Sequence, residues 1–262
     1  MSDAPAGLAV RTQKRYGWRP DTPDMRDFML AVAPVKTLPA KLSLRAQMPP
    51  VYDQGQLGSC TANSIGAVLE FNERKQKEKD AATPSRLFIY YNERVMEGTV
   101  SQDSGAEIRD GIKSVAQLGA PPETLWPYVL TQFAKKPPAG AYKAATKHEA
   151  IRYARVAQDA FALQNVLATG YPISFGFTVY SSFESKAVAA NGIVPMPQAA
   201  ESVLGGHAVV AIGYKALQGQ LYFECRNSWG PRWGDKGYFW MPGAYLTSTS
   251  LASDFWTIEQ VE

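Results

Sequence analysis

The chain has 262 residues, 45% apolar and 19% charged, which supports one large or two small packed domains and excludes a mainly disordered protein. Its 27 Lys and Arg against 24 Asp and Glu leave a net charge of +3 with no basic block, so the electrostatic footprint of a nucleic-acid binder is missing. Two cysteines exclude a disulfide scaffold, and two histidines without HExxH or paired CxxC give no metal site and imply no cofactor.

Residues 1–37 read as an extended arm, with Asp21, Pro23, Asp24, Arg26 and Asp27 showing little periodicity. The apolar run Ala6 to Val10 is shorter than the roughly 7–15 residues of a signal-peptide core. Later runs such as GHAVVAIGY fall short of the ~18 residues that span a bilayer. No membrane partner is expected, and location stays open between the cytoplasm and export by a signal-less route. The segment LPAKLSLRAQMPPVYDQGQLGS is rich in Pro, Gly and Gln and reads as irregular chain.

A helix is predicted from Cys60, with Ile65, Val68, Leu69 and Phe71 on one stripe and Ser59 at the N-cap. Leu87, Ile89, Tyr90 and Tyr91 predict a second helix after Pro84 and Ser85. Ile108, Ile112, Val115, Ala116 and Leu118 predict a third, ended by Gly119 and Pro121. LTQFAKKPPAGAYKAATK reads as a linker. A short helix is predicted at Asp159–Thr169, and PISFGFTVY, HAVVAIGY, LYFECRNSW and GYFWMP read as strands. The class is therefore α+β, with a mainly helical part at 38–146 and a mainly β part at 147–262.

Cys60 is the leading chemical candidate. The N-terminus of a helix offers partial positive charge and free N–H groups, which favour a thiolate. Gln54 stands six residues earlier on a loop with Gly55 and Gly58, able to bring its amide back beside the thiol. That amide and the Cys60 backbone N–H together would form an oxyanion hole. His207 enters an apolar strand behind Gly205 and Gly206 and suits a base for the thiol. His148 lies in a polar run and is expected to face solvent. Asn227, ahead of Ser228 and Trp229, suits the group that orients the imidazole, with Trp229 shielding that bond from water. Each residue also has an ordinary role open to it. These are a small core thiol, a loop glutamine, a satisfied core histidine and a turn asparagine. Cys225 alternates into a strand's apolar face and reads as inert.

Taken together, Gln54…Gly58-Ser59-Cys60, Gly206-His207-Ala208 and Asn227-Ser228-Trp229-Gly230, in the order Cys…His…Asn, resemble the papain family of cysteine peptidases. Leu38-Pro39, Leu44-Arg45, Asp103-Ser104-Gly105, Trp126-Pro127-Tyr128, Tyr171-Pro172-Ile173-Ser174 and Gly237-Tyr238 extend the likeness over residues 38–262. Gly17-Trp18-Arg19-Pro20-Asp21 and Asp24…Arg26-Asp27 are similar to the arm of a compact bacterial branch of that family. The resemblance implies a two-lobed fold, one lobe helical and the other an antiparallel β-barrel-like lobe, with a cleft between. It implies a cysteine endopeptidase acting on a protein or peptide through an acyl-enzyme, with Cys60, His207, Asn227 and Gln54 catalytic. Substrate would lie extended along Ser104, Gly105, Gly176, Gly206 and Trp229, with an apolar side chain preferred two residues before the cut. Residues 1–37 would be a short pro-segment or cleft cover that inhibits intramolecularly, or a strap that stabilises the β part. Alternatives are a catalytically silent binding protein on the same fold and a thiol hydrolase or transferase using another acyl donor. Three positions depart from the family pattern. Leu57 replaces a cysteine of a common disulfide, Thr61 replaces the tryptophan after the nucleophile and is expected to alter the wall beside the thiol, and Gly206 replaces a frequent polar residue.

Overall fold

The computed structural model describes residues 16–31, 34–76 and 81–262. Much of the expectation for residues 1–37 therefore lies outside the described residues. Two short strands come first, β1 (Trp18–Arg19) and β2 (Leu42–Ser43), followed by α1 (Cys60–Lys75), α2 (Arg86–Glu97), β3 (Ala106–Glu107), α3 (Ile108–Leu118) and α4 (Ala139–Ala145). Strands then dominate: β4 (Ala150–Arg155), α5 (Ala160–Ala168), β5 (Ile173–Tyr180), α6 (Lys186–Asn191), β6 (Val203–Leu217), β7 (Gln220–Arg226), β8 (Tyr238–Pro242), α7 (Gly243–Thr247) and β9 (Ala252–Val261).

The predicted helix at Cys60 forms, but its burial is not confined to a stripe. Every residue from Cys60 to Glu73 is buried. The helix runs between β6 and β9 on one side and α2 and α3 on the other, so both faces are covered. Ser85 caps α2 through its hydroxyl, which accepts from the Phe88 N–H at 3.1 Å. Asp159 caps α5 by accepting from the Ala162 N–H at 2.8 Å. Part of the expected linker is instead helix α4, which buries Ala141 and Ala145. Strands β4 and β9 escaped the sequence reading. In β9 Asp254 through Thr257 are all buried, so no alternation marks it.

The large sheet is antiparallel, in the order β4-β9-β5-β6-β7-β8, with β2 added to β6. Register pairs Phe177 with His207 and Gly176 with Ala208 at its centre. One hydrophobic cluster runs from α1–α3 through β5, β6 and β9. The Ser64 and Ser174 hydroxyls meet at 2.8 Å, and the Asn72 amide donates to the Ile258 carbonyl at 2.8 Å, fastening α1 to the sheet. His148 does not simply face solvent. Its Nδ1 lies 2.9 Å from Glu73 Oε1 near the end of α1. No helix among the described residues is long and apolar enough to cross a membrane.

Candidate active site

Cys60 opens α1 and is fully buried. Ser59 precedes it but gives no side-chain cap. Its hydroxyl meets Tyr128 Oη and accepts from the Asn63 amide instead. The backbone N–H groups of Ala208, Gly17 and Thr61 lie near enough to the Cys60 thiol to favour its charged form. Ala208 follows His207 on β6, so the start of the helix meets the strand carrying the imidazole. His207 Nε2 lies 2.8 Å from Asn227 Oδ1. An amide oxygen only accepts, so Nε2 carries the proton and the neutral ring presents Nδ1 as its basic nitrogen. Asn227 is itself fixed, since its N–H donates to the Gly237 carbonyl at 3.0 Å and its Oδ1 also accepts from the Ser228 N–H at 2.8 Å. Trp229 lies over His207 with ring centroids 4.9 Å apart, and Phe177 meets the imidazole edge-on at 5.8 Å. Both rings exclude water from the pair.

Gln54 is fully buried beside these groups. Its amide donates to the Leu57 carbonyl at 2.9 Å and accepts from the Ser228 hydroxyl at 2.7 Å. An amide has two N–H bonds, so one remains for a reacting oxygen. The Gln54 backbone N–H donates to the Ser228 carbonyl at 2.9 Å, and the Tyr128 hydroxyl donates to the Gln54 carbonyl at 3.1 Å. In the sequence Ser228 and Tyr128 stand only as parts of motifs. Their roles as braces for Gln54 are visible only in the fold. Asp103 ties the nucleophile loop to the opposite wall. It accepts from the Gly58 N–H at 2.9 Å and from the Tyr90 hydroxyl at 2.5 Å, and Tyr90 Oη accepts from the Gly105 N–H at 3.2 Å.

Burial pushes the Cys60 thiol up to about 11, and the nearby backbone N–H groups of Ala208, Gly17 and Thr61 only partly oppose that rise. In this covered form desolvation works against the helix N-terminus, which by itself favours the thiolate. Thr61 turns its side chain to α2. It is buried, and its hydroxyl donates to Glu93 Oε1 on α2 at 2.7 Å. Burial holds the Glu93 carboxyl well above the usual carboxylate range.

What covers the thiol is the chain's own arm. Tyr16 packs edge-on against His207 at 6.0 Å, lies near Trp229 at 6.2 Å, and hydrogen-bonds Glu184. Gly17 lies on the backbone of Gly58 and Gly105, so closely that a Cβ on Gly17 would stand 1.7 Å from the Gly58 oxygen. Only glycine fits there. Trp18 fills the space between Gly176 and Gly206, where added Cβ atoms would meet its indole ring at 1.9 and 2.7 Å. β1 pairs with β3 in parallel, and the Ala106 N–H donates to the Gly17 carbonyl at 2.7 Å.

Beyond Trp18 the arm is held by charges. Asp27 bridges Arg109 of α3 at 2.7 Å and Arg155 of β4 at 2.9 Å. Asp21 accepts from the Arg109 N–H at 3.0 Å and the Trp256 indole at 2.8 Å. Burial, and secondarily the neighbouring Asp254 carboxylate, push Asp21 up to about 7.

Of the five expected substrate contacts, Gly105, Gly176 and Gly206 line the space the arm fills, and Trp229 borders it at Tyr16. Ser104 turns aside, its hydroxyl 2.9 Å from the Thr99 hydroxyl and 3.1 Å from the Gly105 carbonyl, which accepts. Cys225 is buried as expected. No cluster of three or more metal-ligating side chains occurs among the described residues.

Comparison with known proteins returns one family model, papain family cysteine protease, over residues 38–254. Xylellain, a cysteine protease from Xylella fastidiosa, is 42% identical with a TM-score of 0.87, over 98% of this chain and 100% of that structure. An uncharacterised peptidase C1-like protein of Acanthamoeba polyphaga mimivirus is 42% identical, over 91% of this chain and 76% of its own length. Cysteine proteinase 3 of Entamoeba histolytica is 28% identical, over 79% of this chain and 64% of its own.

Proposed function

This chain belongs to the papain family of cysteine proteases, and we propose that Cys60, His207, Asn227 and Gln54 carry its peptide-bond hydrolysis while residues of its own arm hold the site closed. The observation that carries the catalytic assignment is the His207 Nε2 to Asn227 Oδ1 bond at 2.8 Å beside a thiol in contact with Ala208.

Once the cleft opens and water reaches the thiol, its desolvation penalty falls. His207 Nδ1 then takes the proton, giving a thiolate and an imidazolium. The thiolate attacks the peptide carbonyl carbon. The developing oxyanion is met by the Cys60 backbone N–H and the remaining Gln54 amide N–H, both preorganised. The imidazolium gives its proton to the leaving amine as the C–N bond breaks, leaving a thioester. His207 then takes a proton from water as that water attacks the thioester, and Cys60 is released with the acid product. Throughout, Asn227 keeps the Nε2 proton in place and the ring in register.

The cover reading rests on the Gly17 N–H lying near the thiol and on the pairing of the Gly17 carbonyl with Ala106. That carbonyl faces β3, so Gly17 lies in the cleft with its carbonyl turned to the wall rather than to the thiol. Trp18 against Gly176 and Gly206, and Asp27 on both Arg109 and Arg155, fasten the same arm to both halves, so covering and bracing are carried by one segment.

Peptidase assays on the full chain carrying Trp18→Ala, which loosens the cover, test the assignment. Adding Cys60→Ala or His207→Ala is expected to lower kcat at least about 10³-fold. Full turnover in either variant would overturn it.

A further inference from the structure

The pocket that receives Trp18 has a carboxylate at its base. Asp254 sits on β9 with φ at +60, a left-handed conformation rare for a residue with a side chain, and is buried. Its Oδ2 accepts from the Trp18 indole N–H at 3.2 Å and from the Asp21 backbone N–H at 2.8 Å. Its Oδ1 accepts from Arg155 at 2.8 Å. Two of these three donors belong to the arm. When the arm leaves, Oδ2 loses both while Arg155 stays on Oδ1. The carboxylate then has an open acceptor in a recess whose walls, Gly176 and Gly206, carry no side chains. A buried acceptor left without a donor is costly, so an incoming side chain that restores the bond is favoured over one that only fills the space.

The charge balance narrows the choice. Arm departure also removes Asp21 and Asp27 from Arg155, leaving that guanidinium paired with the single carboxylate of Asp254. The opened recess is thus not anionic overall, and a cation gains little there. A flat, neutral side chain with one N–H donor matches both the shape and the charge.

We propose that Asp254 is a specificity-determining residue which makes this pocket select a tryptophan side chain of the peptide substrate through its indole N–H. The inference rests on the peptidase reading above and sharpens the simple apolar preference expected from the sequence. The arm's Trp18 is then a built-in mimic of the preferred side chain.

The test uses the full chain with Trp18→Ala and peptides differing only in Trp, Phe or Arg, walked through the four positions before the scissile bond. At one position kcat/KM for Trp is expected to exceed that for Phe and Arg by about tenfold. Asp254→Asn and Asp254→Gly, both tolerant of a positive φ, should shrink the Trp to Phe ratio to about threefold or less. Equal rates for Trp and Phe at every position, Arg preferred over Trp, or a ratio that survives both Asp254 variants would overturn the proposal. A second measurement needs no turnover. Trp18→Phe removes only the N–H and its ring edge, so it should speed alkylation of Cys60 in the full chain, and do so far less in the Asp254→Asn background. Equal acceleration in both backgrounds would overturn the pocket assignment. Coupling between Trp18 and Asp254 without turnover of any peptide would instead count against the peptidase reading.

Discussion

Gln54 illustrates how single side chains are set for chemistry. Its carbonyl oxygen is claimed by Ser228 and one N–H by Leu57, so the amide plane cannot rotate and the second N–H has a fixed direction. Gln54→Ala is expected to lower kcat by about 10²–10³ while moving KM far less, the mark of an interaction made mainly in the transition state. Steady-state kinetics on the Trp18→Ala chain would show it, and an equal loss confined to KM would contradict the role. The proposed site residues Cys60, Gln54, His207 and Asn227 stand out in the sequence because few residue types suit nucleophilic, acid–base or oxyanion chemistry, and because the family resemblance rests on their order. Ser228, Tyr128 and Asp254 do not, because serine, tyrosine and aspartate are ordinary residues until the fold brings them to a partner. The Thr61 hydroxyl likewise finds its partner, Glu93, only in the fold.

Among the elements, the arm carries the most consequence per residue. Its docking is linked to pH through Asp21, which faces Asp254, Arg155 and Trp256 from the sheet and Arg109 from α3. A free aspartate titrates near 3.9, whereas burial raises docked Asp21 to about 7. Docking therefore takes up a proton. Its contribution from this group is complete below about pH 4 and is lost as pH rises through about 7. Amide exchange of residues 16–27 should be slower in Asp21→Asn than in the unmodified chain at pH 8, with the difference shrinking towards pH 5. Identical ratios at both pH values would contradict this linkage. The extended character of the arm was legible from its lack of periodicity. A place over the cleft was offered only by the family resemblance, beside the strap alternative, and the contacts that make it were not legible, because Gly17 and Trp18 find their partners in α1's loop, β3, β5 and β6, far along the chain.

At the scale of the whole molecule, the site depends on α1 being pressed against the sheet. Phe175, fully buried, stacks on Phe255 of β9 at 5.1 Å and sits one residue after Ser174, which meets Ser64 of α1. Phe175→Ala is expected to cost about 3–5 kcal/mol, read as a lowered urea midpoint, and a change below about 1 kcal/mol would contradict its place in the core. The helices-then-strands order was legible and leads to the α+β class. Strand β9 was not, because a strand covered on both faces loses the alternation that reveals a half-exposed one.

The central claim is that Cys60 is a nucleophile activated by His207 and covered by the chain's own arm. Its most direct test is iodoacetamide alkylation at pH 6 with peptide mapping, on the full chain, on Trp18→Ala, and on Trp18→Ala combined with His207→Ala. An ordinary thiol is well under 1% thiolate at that pH, so rapid labelling requires an ion pair. The account predicts slow labelling of Cys60 in the full chain, fast labelling in Trp18→Ala, and slow labelling again once His207 is removed. Labelling that stays slow in Trp18→Ala, or stays fast without His207, would contradict it.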